Sequence, residues 1–384
     1  MSEHAERYVR LALRLARHDE GVVESYHGPP ELAAGVDAEP LTAPIDLVAE
    51  ADGLLADLPD AWLRDQVVGL RARSGLLAGE LWSYADEVEA CFGVRPTLTD
   101  EATLHAAYER LERLLPGPGS LRERYQAWEL ATQVPADRVP AVVDAVVEES
   151  RAHARRVFGL PEGEGFDIEY VSGQGWLAFH EYAGGLRAHV SVNTDLPRSG
   201  VELLHTVLHE TYAGHHTESC LKEVALVRGR GLLEQAIVVP PTPQSLVSEG
   251  LAELGPSLLL DGEHRASYEA VVRDAGVDID LAHDRTVAAA VEPVLRIQAD
   301  AGQLLHAEGW SEDAVLGYLR QWALVDDNLL EHVVRFVADP TNRGYVVCYP
   351  EGLVRCREYV NGDLARFTTL LTEQVRVGDL SAPL

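Results

Sequence analysis

The chain has 384 residues, a formal net charge of −30 and 46% apolar residues. That length supports one large core or two ordinary ones, and the charge argues against nucleic acid and anionic membranes as partners. Four cysteines without C-x-x-C spacing (Cys91, Cys220, Cys348 and Cys356), an amphipathic start and no apolar run near the roughly 20 residues that span a bilayer lead us to expect a cytoplasmic protein with reduced thiols.

From residue 5 to about 160 the pattern is helical. "ERYVRLALRLA" puts Tyr8, Leu11, Ala12 and Leu15 at helical spacing, and "PIDLVAEADGLLADL", "AWLRDQVVGLRARSGLLAGE" and "TLHAAYERLERLL" repeat it. "LLPGPGS" is a stop, and "PAVVDAVVEESRAHARRVFGL" is a further long helix ended by "PEGEG". Residues 166–197 then alternate β-branched and aromatic side chains around a Gly184-Gly185 turn. Two or three short strands are expected, including "FDIEYV" and "RAHVSVN". Helical texture resumes at Ser199, broken by Pro240, Pro241 and Pro243 and by "ADPTNRGYVVCYPEG". The expected architecture is mostly α, with a small β-ribbon before the key helix. It divides into an N-terminal helical region, 1–160, and a catalytic region, 161–384, in one two-lobed unit. Lys222 is the only lysine, a bias that reads as gene composition rather than chemistry.

The key helix starts at "SGVELLHTVLHE", where Ser199 and Glu202 have capping-box spacing and Val201, Leu204 and Leu208 form an apolar stripe. It runs into "HETYAGHH", residues 209–216. The zinc-peptidase signature H-E-x-x-H places two histidines one turn apart around a glutamate. Here two extra residues intervene. On an ideal helix His215 would lie roughly 120° off the face of His209, and His216 roughly 10 Å along the axis. Neither suits one tetrahedral ion. Gly214 permits a bulge or broken turn that restores the one-turn relation, so a metal site here predicts a distorted helix.

Glu210, buried near the helix end, needs a partner that a metal-activated water would supply. A third ligand is expected on a second helix, and "SLVSEGLAELG" offers Glu249 and Glu253 one turn apart. His205, one turn before His209, is followed by Thr206 rather than a glutamate. It reads as a core or outer-shell histidine.

Together "HETYAGHH" and "EGLAE" at 249–253 resemble the family called domain of unknown function 885. Its members carry H-E-x-x-P-G-H-H and a downstream E-G-[W/L]-A. Ala213 stands where that family usually has proline. The family is similar to helical gluzincin carboxypeptidases and oligopeptidases, so the resemblance implies a thermolysin- or oligopeptidase-like helical architecture. It also implies one Zn²⁺ held by His209, His215 and Glu249, with Glu210 as general base. "NRGYVVCYPEGLVRCREY" resembles the family's late Y-x-x-G element through Tyr349 and Gly352. The resemblance thereby implies Tyr349, with Tyr345 as a helper, as the oxyanion donor. His216 is an alternative ligand or a second donor. The strand "AHVSVN" is expected to stand at the sheet edge and pair with an extended peptide, with Asn193 bonding the substrate. Arg355 or Arg357 could clamp a substrate carboxylate, which would make the enzyme a carboxypeptidase. The expected substrate is a peptide or small amide. The alternatives are a non-peptidase metalloenzyme using iron, manganese or zinc on a small biosynthetic substrate, and a helical binding protein with a decayed site.

Overall fold

Aspartate, serine and proline mark where the helices begin. The computed structural model describes residues 2–380 except Gly175, Pro197, Asp261, Asp326 and Thr341, and leaves out the side chains of Glu263 and Asn328. The N-terminal part comprises α1 (Glu3–Ala16), the short strand β1 (Ser25–Tyr26), α2 (Pro30–Asp37), α3 (Pro44–Asp57), α4 (Ala61–Leu77) and α5 (Tyr84–Phe92). Pro30 and Pro44 stand in first turns, where a missing N–H costs nothing, while Asp60 and Ser83 accept from the amides of Leu63 and Asp86. Next come α6 (Glu101–Leu114), α7 (Leu121–Ala131) and α8 (Val139–Phe158). Gly117 and Gly119, both at positive φ, separate α6 from α7 at the expected stop, and Ser120 with Glu123 closes a full capping box.

The sheet follows as β2 (Gly165–Val171), β3 (Ala178–Gly184) and β4 (Arg187–Asn193), in the order β2-β4-β3. β4 runs parallel to β2 and antiparallel to β3. The turn between β3 and β4 has Gly184, Gly185 and Leu186 all at positive φ. The expected strands are present, but β4 is not an edge. Both of its sides are already paired, so its backbone has no free ladder to offer an extended peptide.

The rest is helical: α9 (Gly200–Glu210), α10 (His215–Lys222), then β5 (Ile237–Val238), which pairs antiparallel with β1, and α11 (Pro243–Leu259). The chain ends with α12 (Arg265–Asp274), α13 (Leu281–Leu295), α14 (Ile297–His306), α15 (Glu312–Trp322), α16 (Asp327–Ala338), α17 (Cys348–Val360) and α18 (Leu364–Thr372). Helices take 67% and strands 7%, which makes the fold mostly α as expected.

Apolar packing gathers the buried side chains into separate clusters. One cluster joins α1, α3 and α4 to the segment 233–239. The larger cluster runs from Ala72 to Leu380 and takes in α5 to α8 together with the C-terminal helices. α11 and α17 cross closely. A Cβ on Gly250 would enter the Gly352 backbone, and one on Gly352 would enter the backbone of α11. These glycines let the two helices meet at backbone distance, which sets Glu249 beside the residues that open α17. Among the described residues no helix is long and apolar enough to cross a membrane. All four cysteines are free and buried.

Candidate metal centre

α9 is anchored at its start. The Ser199 side chain accepts from the Glu202 amide at 3.2 Å, and the Gly200 amide bonds the Thr132 carbonyl. The helix stays regular to Glu210 and then breaks. Ala213 takes φ 99°, and a new helix starts at His215. The Ala213 amide is caught by Thr217 Oγ1 at 3.1 Å. A Cβ on Gly214 would collide with the His209 carbonyl oxygen, so only glycine lets the chain fold back this tightly. The distortion is thus a full break between two helices, and the π-helical stretch lies further on, at Glu223–Arg228.

The break brings His215 back beside His209, with ring centroids 4.7 Å apart and planes at 86°. α11 supplies Glu249 between them. Its Oε2 lies 3.3 Å from His209 Nε2 and 3.7 Å from His215 Nε2. One donor atom from each of His209, His215 and Glu249 falls within 4.8 Å of the other two. Two ligands about 2 Å from one tetrahedral centre lie roughly 3.3 Å apart, so the spacing suits a single zinc-sized ion.

Each imidazole is oriented from behind. His209 Nδ1 faces Glu253 Oε1 at 3.4 Å, and Glu253 Oε2 lies 3.0 Å from His205 Nε2. His215 Nδ1 faces Ser248 Oγ at 3.3 Å. Ser248 donates to Glu218 Oε2 at 2.5 Å, and Lys222 Nζ donates to Glu218 Oε1 at 2.6 Å. With both Nδ1 atoms engaged, both Nε2 atoms face Glu249, the arrangement of carboxylate–histidine–metal chains. His205 therefore acts through Glu253. A second grouping, His205, His209 and Glu253, shares His209, but its carboxylate is already divided between the two imidazoles.

Glu249 is itself held by Tyr345, whose hydroxyl donates to Oε1 at 2.6 Å, while Oε2 is buried with no hydrogen-bond partner. Burial pulls both ligand histidines down. The Glu249 carboxylate, joined at His215 by Glu218, outweighs it and raises their pKa values, that of His215 well above normal. Burial pushes Glu249 up, yet the neighbouring His209 and His215 imidazoles hold it far below the carboxylate range. An unpartnered buried oxygen between two such imidazoles is an environment that draws in positive charge, and the donor set fits a divalent metal.

The other sequence candidates fall in different places. Glu210 is buried beside the cluster, where desolvation raises its pKa against the pull of His209 and His215. Tyr349 is 37% exposed, with its ring 5.8 Å from that of Tyr345. Desolvation and the Glu249 and Glu210 carboxylates keep its hydroxyl protonated. His216 turns away. It is fully buried against Phe166 and Tyr212, and its Nε2 is 3.4 Å from Glu164 Oε2. Along a fresh helix, neighbouring side chains diverge by about 100°, so one histidine meets Glu249 and the next meets the opposite wall. Asn193 is buried, and its amide donates to the carbonyls of Gln174 and Trp176, so it serves the loop before β3. Arg357 is paired through two hydrogen bonds with Glu292, whereas Arg355 reaches Glu351 only at 3.7 Å and keeps an unpartnered Nε.

Nothing local in the sequence singles out Ser248, Glu218 or Glu24. Glu24, an exposed residue, precedes β1, and the surrounding protein together with Glu249, Glu210 and Glu181 pushes its carboxyl up despite His215. The only lysine of the chain is the one signal that could have been followed, because it is spent, buried, on Glu218.

The chain matches no family model and no curated protein. Among solved structures it is similar to a crystal structure from Colwellia psychrerythraea of a protein described as a "putative lipoprotein". The TM-score is 0.54 and the identity 13%, over 87% of this chain and 65% of that one. The likeness is one of fold, and this chain spans just under two thirds of that protein's length.

Proposed function

We propose that the protein is a metal-dependent hydrolase that cleaves an amide or peptide bond. The observation that carries this reading is the convergence of His209 Nε2, His215 Nε2 and the unpartnered Glu249 Oε2, with Glu210 next to the first ligand. Zinc held by these three atoms would supply Lewis acidity, polarising a carbonyl and bringing the pKa of water toward about 7. Glu210 takes the proton from the attacking water and hands it to the leaving amine. Its desolvated carboxyl suits that exchange better than a solvated one. Tyr349, held protonated, donates to the oxyanion. Tyr345 orients Glu249 rather than the substrate. Arg355, whose Nε makes no hydrogen bond and approaches Glu351 only at 3.7 Å, is the remaining group for a substrate carboxylate and the basis of a carboxypeptidase reading. Since β4 is interior, an extended substrate would have to lie along β3, the strand that packs on α9 and α10.

Kinship with the domain of unknown function 885 and with the helical gluzincins belongs to the same proposal, supported by the ligand spacing. Ala213 departs from that family's proline in substance, because φ 99° is out of reach for a proline ring. The second reading, a non-peptidase metalloenzyme using iron or manganese, is supported by the same donor set, which suits several metals. Metal analysis of protein purified without added metal separates the two. Zinc supports the hydrolase, and stoichiometric iron with optical bands supports the alternative. In the zinc enzyme Glu210→Gln should keep the metal and lose about 10²–10⁴-fold in peptide turnover. Full turnover with metal bound would remove Glu210 as the base.

A further inference from the structure

On the His216 side of the break, between α8 and the β2–β4 half of the sheet, lies a cavity of about 450 Å³. Arg151, Arg155 and Arg187 stand in its wall, on a chain whose net charge is −30. Two of them share one counterion. Arg151 Nε and Arg155 Nη2 donate to Glu164 Oε1 at 2.9 and 3.1 Å. Arg187 reaches only the exposed Asp167, at 3.5 Å. It lies over Gly165, where a Cβ would meet Arg187 Nη1 at 2.6 Å and Arg151 Nη2 at 3.6 Å. The missing side chain at 165 is therefore what admits two guanidinium groups to one spot. Val147, Phe166 and Ile168 make the wall apolar elsewhere. The acidic lining residues are Asp144, taken by the Tyr170 hydroxyl at 2.6 Å, and Glu148, exposed on α8.

We propose that this cavity binds a small organic carboxylate with an apolar body. Arg151 and Arg155 are committed to Glu164, whereas the Arg187 guanidinium, opposed only by exposed Asp167 at 3.5 Å, keeps donors that match a planar carboxylate. The volume and apolar wall are those of a small-molecule site, and they disfavour a fully hydrated anion such as phosphate. The cavity also touches the metal centre's scaffold. Tyr212 lines it and sits inside the break, and its hydroxyl donates to Glu164 Oε2 at 2.8 Å, the oxygen that His216 also approaches. Glu164 thus ties the cavity's arginines to the residues on either side of Ala213 and Gly214, which place His215. A carboxylate that competes for Arg151 or Arg155 alters what holds that turn. By linkage, metal loading at His215 then alters carboxylate affinity in return.

The test is calorimetric titration of the full chain with 3-phenylpropionate, with inorganic phosphate and phenethylamine as charge controls. One saturable site is expected for the carboxylate alone. Arg187→Gln should weaken it at least about tenfold, the loss of one charge-assisted hydrogen bond, with an unchanged thermal midpoint because Arg187 holds no buried partner. Ile168→Glu, which sets a like charge in the wall, should abolish binding. Absence of saturable binding, equal binding of phosphate or phenethylamine, or undiminished affinity in both variants overturns the site. Repeating the titration on zinc-loaded protein should shift the affinity about fivefold or more. Equal affinity with and without zinc overturns the coupling.

Discussion

Two glutamates buried on either side of the same helix break show how differently a fold can treat a carboxylate. Glu164 is saturated, with Arg151 and Arg155 on one oxygen and Tyr212 and His216 on the other. Glu249 has a tyrosine on one oxygen and no hydrogen bond on the other, which points between two imidazoles. A buried carboxylate needs a compensating charge. At Glu164 the chain builds that charge in as arginine, and the site is closed. Around Glu249 no arginine or lysine contact is found among the described residues, so the positive charge has to be protons or a metal. His215 and His216, adjacent in sequence, divide between these two environments.

If this contrast is right, zinc should discriminate between the halves. At about a hundredfold excess over its Kd, zinc adds about 2.7 kcal/mol of stability to the native chain, read as a rise in thermal midpoint. His215→Ala and Gly214→Ala should both erase that rise, the first by removing a donor and the second because its Cβ displaces the turn. Glu164→Gln should keep most of it, since all three donors remain and only the support of the turn is weakened. An equal zinc shift in all three variants would mean that the ion binds elsewhere.

Acid should discriminate the other way. Burial raises the Glu164 carboxyl, but hydrogen bonds from His216, Arg151 and Tyr212 outweigh it and leave the group at about 2. A depressed carboxyl contributes stability that is full above the ordinary carboxylate range, near 4.5, and is lost as pH falls toward 2. Glu164→Gln should therefore cost about 2 kcal/mol at neutral pH, discounted for the partly exposed arginines. It should also flatten stability between those pH values. A smaller effect belongs to Tyr345→Phe, which frees Glu249 Oε1. It should weaken zinc about tenfold, as losses behind a ligand do, without changing the metal-free thermal midpoint by much.

How much of this was legible beforehand follows from what is local. The capped helix start at Ser199, the need for a break at Gly214 and the pairing of "HETYAGHH" with "EGLAE" all lie within short stretches. Their geometry follows from 100° per residue and from glycine's missing side chain. What was not legible depends on contacts across the chain. Which of two adjacent histidines meets Glu249 depends on the phase of a helix that restarts after the break. Glu24 feels the cluster's charges from the N-terminal segment, and the interior position of β4 depends on β2 pairing in parallel with it while β3 pairs on its other side. Asn193, placed well by its position at the end of a strand, is consumed by carbonyls of the loop between β2 and β3. The lone lysine looked like composition because its partner, Glu218, matters only through His215 and Ser248, contacts that the fold makes.

The smallest expected effect probes the turn that separates the two glutamates. Ala213 holds φ 99°, a region where a non-glycine residue costs about 1–3 kcal/mol. It is pinned there from outside. A Cβ on Gly255 of α11 would run into the Ala213 carbonyl, so the backbones already touch. Ala213→Gly removes the side-chain penalty but adds freedom to the unfolded chain worth roughly 0.5–1 kcal/mol. The net expectation is a gain of about 1 kcal/mol in the metal-free protein, measured by chemical denaturation. Zinc affinity should stay level or fall slightly, because a looser turn holds His215 less firmly against Glu249. A clear loss of stability in Ala213→Gly would mean that the alanine methyl packs more favourably than its backbone is strained. The break would then be held by apolar contact rather than by the Thr217 hydroxyl and the crossing of α11.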